Sequence, residues 1–438
     1  MITNPLKKIV ERQKAGEKIG IYSCCSSNPY VLEAALLYAK KTNSPLLIES
    51  TANQVDQFGG YSGMTPQKFR EYVEGMAKNI GYDTNKLFLG GDHLGPLTFV
   101  NNNETEAMEL AKTLIHDYVL AGFSKIHIDT SMKVKDDDPN TRLSDEVIAR
   151  RGAILAKVVK EAYQELLEHN SNAYEPVLIV GSEVPIPGGQ MGESVDSLSV
   201  TRVEDFKQTY DTFERVFKEY GVSDMFEKII GFVVQPGIEE KDSGCVEYDR
   251  SKAKELTHYL QGYKNIVFEG HSSDYQTKYK LKELVEDGVA ILKVGPGLSY
   301  KAREGLYALA YAEKELYHGR EANQSHFIEV LDEVMLEDGK YWEKYYQGSE
   351  EERLLKRKYS FSDRSRYYMN HPRVKEAIAK LFDNMKDGVP NHLLSQFFPK
   401  QYTKVREGEI ENNPMSLVVD RIQETIEEYV FATSQQLL

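Results

Sequence analysis

Acids, amides and imidazoles recur in this sequence directly after short apolar runs. Glu49 closes PLLIES, Asp92 and His93 follow KLFLGG, His127 and Asp129 end KIHID, and Glu183 follows PVLIVGS. Gln235 follows KIIGFVV, Glu269 lies in NIVFEG with His271 directly after it, and Lys293 stands in AILKVG ahead of Gly295 and Gly297. Brought to one place, His93, His271, Glu183 and Gln235 would offer nitrogen and oxygen donors suited to Zn2+ or a similar divalent ion with an open position. Asp92 precedes His93, so one of the two can face a metal while the other serves as acid or base. Glu183 and Asp129 are further carboxylates placed to move a proton. Ser272, Ser273, Gly295, Gly297 and Ser299 follow the last two runs, where barrels often hold phosphate through backbone N–H groups.

Plainer roles compete with these. His127 reads equally as a hydrogen-bonded structural residue. Glu49 and Asp129 read equally as helix caps or lysine partners, and the glycines as a tight turn. Cys24 and Cys25 have no activating base nearby in sequence and read as small fillers. His116, His169, His258, His318 and His326 fall in helical or inter-helical stretches and read as ordinary.

The elements that would position these residues follow from periodicity. Apolar runs at 18–24, 45–50, 86–91, 125–129, 176–182, 228–234, 265–270 and 290–295 are too short for helices. They are nearly continuous in apolar character, as strands covered on both faces are. Amphipathic helical patterns alternate with them, from VLEAALLYAKK behind Asn28 and Pro29, and PQKFREYVEGMAKNI behind Thr65, to KAREGLYALAYAEKELYHG. Eight strands and eight helices in alternation close a parallel barrel, whereas an open doubly wound sheet more often stops at five or six strands. A TIM (β/α)8 barrel is therefore expected over residues 1–320, with converging strand ends at one mouth. From 321 to 438 helical patterns continue without strands, which predicts a helical C-terminal region packed on the barrel. Its YWEKYY, YSFSDRSRYY and FPKQYTKV are rich in aromatics and Arg, the types enriched at interfaces. The region is expected to close the mouth or carry subunit contacts, including a homo-oligomer, with Arg364 or Arg366 in reach of a phosphate.

Composition removes several classes. Fifty-four Lys and Arg against 68 Asp and Glu give a net charge of −14, which repels phosphate backbones and argues against nucleic acid. Three cysteines without metal-ligand spacing build neither a disulfide framework nor a structural zinc site. The first twenty residues lack an apolar signal core and no window is long enough to span a membrane, so a soluble, cytoplasmic protein is expected.

The stretches IGIYSCCSSNPYVLEAAL, IESTANQVDQFGGYSGMTP, LGGDHLGP, AGFSKIHIDTSM, GSEVPIPGG, VVQPG, EGHSSDYQT, ILKVGPGL, YSFSDRSRYY and FPKQ together resemble the Z-type subunit of tagatose-bisphosphate aldolase, the GatZ/KbaZ family. The likeness runs in order from about residue 6 to beyond 425 and includes the helical tail. It implies a barrel akin to class II aldolases and a place in an aldolase (carbon–carbon lyase) complex. The partner it implies is a catalytic Y-type subunit, in galactitol or N-acetylgalactosamine catabolism. The reaction served is cleavage of tagatose 1,6-bisphosphate to glyceraldehyde 3-phosphate and dihydroxyacetone phosphate. The Z subunit of that family is regarded as non-catalytic, supporting its partner in a chaperone-like way.

Class II aldolases themselves carry an Asp-His pair after strand 3, which Asp92 and His93 match, the Asp as acid/base and the His as metal ligand. His271 resembles their metal-binding His after strand 7, and Glu183 their Glu after strand 5. Where they place another metal-binding His after strand 6, this chain has Gln235, a poorer zinc ligand. After strand 8 it reads GPG instead of their Asn-bearing pattern. The alternative to an accessory role is a divalent-metal-dependent epimerase or aldolase acting on a sugar or sugar phosphate.

Overall fold

A computed structural model describes residues 2–182 and 198–438. Eight parallel strands close a barrel: β1 (Ile21–Cys25), β2 (Leu46–Thr51), β3 (Leu87–Leu94), β4 (Lys125–Ile128), β5 (Val177–Val180), β6 (Ile229–Val234), β7 (Val267–Gly270) and β8 (Val289–Val294), each hydrogen-bonded to its neighbours in sequence and β8 to β1. All eight lie where the apolar runs predict them. The helices between them also follow the predicted order, and their starts show why. Asn28 accepts the N–H groups of Tyr30 and Val31 ahead of Pro29–Thr42, and Thr65 accepts Lys68 N–H ahead of Pro66–Ile80. Each has Pro at its first turn, where no intrahelical donor is lost.

Alternation along the strands sorts the barrel interior into layers. At the N-terminal end Ile21, Leu47, Val177, Ile179, Val267 and Ile291 form an apolar layer, and Leu6, Ile9 and Val10 cover it from below. Two residues further along the same faces come Ser23, Glu49, Glu269 and Lys293, and Lys125 of β4 joins them, all buried. Apolar filling thus gives way to charge before the mouth is reached.

Two features depart from the expected pattern. The eighth helix begins at Pro296, not Lys301, and runs to Leu316, so Gly297 and Ser299 belong to its first turn. A two-stranded ribbon, Glu239–Glu240 with Cys245–Val246, follows β6.

The C-terminal residues form helices that include Phe327–Glu337, Glu350–Tyr359, Pro372–Asn384 and Pro414–Thr433. The last buries Leu417, Ile422, Ile426 and Tyr429 in the same core as the barrel helices. It is also stitched to strand ends: Thr433 O accepts Gly20 N–H at 2.8 Å, and the Gln435 amide bridges Tyr22 N–H and Pro45 O. Among the described residues no helix is long and apolar enough to cross a membrane.

Candidate functional site at the barrel mouth

β3 carries the main irregularity. Its pairing with β4 shifts between Gly91 and Leu94, and His93 takes a positive φ of 51°, a region that a non-glycine residue rarely adopts. Such a bulge turns consecutive side chains toward one side. Asp92 and His93 consequently both face the mouth, where they line one space with His271 and Lys293. Gly95, just beyond, has no room for a Cβ, which would meet Asp129 O at 1.9 Å. That close approach brings Asp129 beside His93.

Three imidazoles stand in mutual edge contact, with ring centroids 5.1 Å apart for His93 and His127, 5.0 Å for His93 and His271, and 5.2 Å for His127 and His271. Each is oriented by a carboxylate. His93 Nδ1–H donates to Asp129 Oδ2 at 2.8 Å, His127 Nδ1–H to Asp92 Oδ1 at 2.7 Å, and His271 Nε2–H to Glu269 Oε1 at 2.9 Å. This is the outer-shell arrangement that fixes tautomer and ring direction in metal sites. His127 Nε2 is buried with no hydrogen-bond partner.

Below the imidazoles lies an ionic lattice. Lys125 Nζ is 2.5 Å from Glu49 Oε1 and 2.7 Å from Glu269 Oε2, while Lys293 Nζ contacts Glu49 Oε2 and lies 2.8 Å from Asp92 Oδ1. The Lys125 contacts meet the distance of ion pairs without hydrogen-bond angles, so charge more than direction holds them. Gly90 makes the space for Glu49, whose Cγ would lie 2.6 Å from a Cβ there. Two ammonium groups face Glu49, Asp92 and Glu269, and Asp129 adds a fourth carboxylate beside His93, which leaves carboxylates in excess.

Titration follows from that excess. Burial opposes ionisation of Asp92, but His93 and Lys293 outweigh it and hold the carboxyl well below its usual range. Burial likewise opposes charge on Asp129, and His93 draws its pKa down to about 2. For His93 burial disfavours the charged ring, yet Asp92 and Asp129 prevail and raise its pKa. His271 goes the other way: burial dominates, and its pKa falls to about 4. Two neighbouring imidazoles are thus pushed in opposite directions, the pattern that separates an acid from a base.

The expected metal set is only partly assembled. Asp92, His127, Glu269 and His271 each bring one ligand atom to within 4.8 Å of the others. His271 belongs to the expectation, and Asp92, His127 and Glu269 stand with it as possible donors among the described residues. His93 stands beside this group rather than in it. Gln235 departs from the metal assignment, because its Oε1 accepts the N–H groups of Gly237 and Ile238 and so caps its own turn. Glu183 lies outside the described residues. Two imidazoles and two carboxylates, with an orphaned buried nitrogen on His127, are a donor set that fits zinc or a similar divalent ion.

The phosphate assignment also meets prior occupants. Gly295 and Gly297 N–H both donate to Asp274 Oδ1, at 3.0 and 2.7 Å. Ser273 Oγ donates to Lys293 O, Ser299 Oγ to Pro296 O and Asp363, and Ser272 Oγ to Glu239. The chain's own carboxylates therefore sit where a ligand's oxygens were expected. Burial and the neighbouring Glu240 lift the Asp274 pKa to about 7.

Sequence reasoning placed His127, Glu49, Glu269 and Lys293 at strand ends but gave none of them a committed role. It passed over Lys125 altogether. The available signal was the spacing Lys125-x-His127 and its counterpart on β7, Val267-x-Glu269, since alternate residues of a barrel strand share the inner face. Cys24 is a buried filler as expected, burial pushing its thiol up to about 12.

One solved relative shares the architecture over nearly the whole chain. A crystal structure from Sinorhizobium meliloti 1021, of a protein described as a probable tagatose 6 phosphate kinase, is 40% identical. It covers 94% of this chain and 100% of its own, with a TM-score of 0.85. The fructose-bisphosphate aldolase of Campylobacter jejuni is 16% identical over 86% of this chain and 90% of its own, TM-score 0.44. The YdjI aldolase from Escherichia coli K12 is 11% identical over 70% and 86%, TM-score 0.41. The description D-tagatose-1,6-bisphosphate aldolase subunit GatZ/KbaZ-like matches residues 6–434, and over that span, nearly its whole length, the chain belongs to the GatZ/KbaZ-like family.

Proposed function

We propose that the chain acts as the Z-type, accessory subunit of a D-tagatose-1,6-bisphosphate aldolase, supporting a catalytic Y-type partner in galactitol or N-acetylgalactosamine catabolism in the cytoplasm. One observation carries the reading. Two groups that would serve autonomous chemistry are engaged within the chain: Gln235, which stands where class II aldolases place a metal-binding His, caps its own turn, and the Gly295 and Gly297 N–H groups expected to hold phosphate are taken by Asp274. Equimolar addition of the purified chain to a Y-type subunit raises aldolase activity or delays its thermal inactivation. No change in either quantity sinks the proposal.

A second reading is favoured by the donors at the mouth. Asp92, His127, Glu269 and His271 fit a divalent metal, with zinc the first candidate, and make the mouth a sugar-binding site in its own right. A bound divalent ion would polarise a sugar carbonyl or hydroxyl and lower the cost of moving its proton. The chain's own part is separate: Asp92 and Asp129 hold His93, which stands outside the donor group, toward its protonated form, so its ring can give a proton to the ligand. Elemental analysis after zinc loading and dialysis decides the matter. One metal per chain, reduced in His127→Ala, supports it, and no retained metal rules it out.

A further inference from the structure

The structure assigns an anion-binding subsite to Arg366 and Lys375 of the C-terminal region, on the β1 side of the mouth, for the terminal phosphate or carboxylate of a sugar. It deepens the second reading, on which it rests, by naming the class of ligand: an acidic sugar whose other end reaches the imidazoles.

Two spaces adjoin at the mouth. A cavity of about 290 Å³ lies beyond the end of β1, with Ser26, Asn28, Asn370, Lys375 and Arg366 in its wall. A smaller one of about 80 Å³ contains Asp92, His93, His271 and Lys293. Gln54, Tyr61 and Arg366 border both, so one extended ligand can occupy the two. The larger volume is near the lower end of small-molecule sites, about 300 Å³.

Arg366 is held in place by carbonyl and hydroxyl groups, with the carboxyls of Asp363, Glu240 and Asp274 in its surroundings but none in a direct ion pair. Its Nη1 donates to Ser362 O and Asp363 O, its Nη2 to Tyr367 OH at 2.9 Å, and its guanidinium stacks 4.4 Å from the Tyr367 ring. Among the described residues no carboxylate forms an ion pair with it, nor with Lys375, which is exposed at the rim. A positioned guanidinium with spare N–H groups suits the oxygens of phosphate or carboxylate. Other charges set the direction of the ligand. The carboxylate of Asp92 lines the smaller space and disfavours an anionic end there, and Asp274 already occupies the backbone N–H groups after β8. The acidic terminus is thereby directed into the larger cavity.

Calorimetric titration of the zinc-loaded full chain with fructose 6-phosphate, glucuronate, neutral fructose and inorganic phosphate tests the proposal. Fructose 6-phosphate or glucuronate binds at least about tenfold tighter than fructose, and whichever of the two is stronger identifies the terminal group. Arg366→Gln abolishes that preference while zinc content and circular dichroism stay unchanged. Lys375→Ala, at an exposed position, weakens acidic ligands about two- to fivefold and provides the readout if Arg366→Gln fails to fold. Inorganic phosphate reports on the subsite without the metal, so a chain that retains no zinc but binds phosphate through Arg366 loses the second reading and keeps the subsite. Equal affinity for neutral and acidic sugars, or a preference that survives both substitutions, overturns it.

Discussion

Lys125 of β4 and Glu269 of β7 meet 2.7 Å apart inside the barrel, with no exposure of either side chain to solvent. Glu49 shares the same ammonium. Removing one partner of a buried ionic set strands the others, at a cost of about 3–5 kcal/mol. Lys125→Met is expected to lose that much in denaturant-induced unfolding, because Glu49 and Glu269 would lie buried without it. Lys125→Met combined with Glu269→Gln recovers part of the loss. A double variant as unstable as the sum of its singles contradicts the pairing.

Asp274 gives the fold a pH dependence of definite sign. In the folded chain its carboxyl keeps its proton up to about pH 7, whereas an unfolded aspartate releases it near pH 3.9, about the model-peptide value. The raised pKa means that the group's contribution is fully present below the unfolded value and is lost as pH rises through 7. Asp274→Asn keeps an oxygen for Gly295 and Gly297 N–H but carries no charge to bury. Its unfolding midpoint is expected to exceed that of the parent at pH 8, by about 1–3 kcal/mol, and to match it more nearly at pH 5. A larger gain at pH 5 than at pH 8 overturns the assignment.

The barrel was legible because each strand is a continuous apolar run whose polar residues collect at one end. PVLIVGS and AILKVG admit little else once eight such runs alternate with capped helices. The site was legible only in outline. Asp92, His93 and His271 were visible as mouth residues, but which imidazole joins which acid depends on the shift between Gly91 and Leu94, and a bulge leaves no mark in local composition. Lys125 opens its apolar run and drew no role there; only the inward phase of β4 buries it. Gln235 was read by its donor atom, yet a turn two residues long claims that atom first.

The metal reading makes His127 more important than His93, opposite to the order that the Asp-His motif suggests. His127 is one of the four gathered donors, and its Nε2 has no partner. His93 is outside that group and acts on Asp129 and Asp92. Competition of the chain with a zinc chelator is expected to show a loss of at least about tenfold in affinity for His127→Ala. His93→Ala is expected to lose less. The reverse order would move the metal to His93 and the mouth's outer edge.

The last helix, Pro414–Thr433, is expected to be indispensable to the barrel. Leu417, Val418, Ile422, Ile426 and Tyr429 are buried in the common core, and each fully buried large apolar side chain contributes about 1.5–3 kcal/mol. Together these reach on the order of 10 kcal/mol, comparable with the whole stability of a domain, about 5–15 kcal/mol. Tyr429 also donates to Ser273 O at 2.9 Å, and Gln435 satisfies Tyr22 N–H at the inner edge of β1. A chain ending at Asn413 is expected to lose its near-ultraviolet circular dichroism and to aggregate. Phe431→Ala, on the exposed side of the same helix, is expected to unfold within about 0.5 kcal/mol of the parent. A folded chain without the helix would show that the barrel closes on its own and that the helix only decorates it.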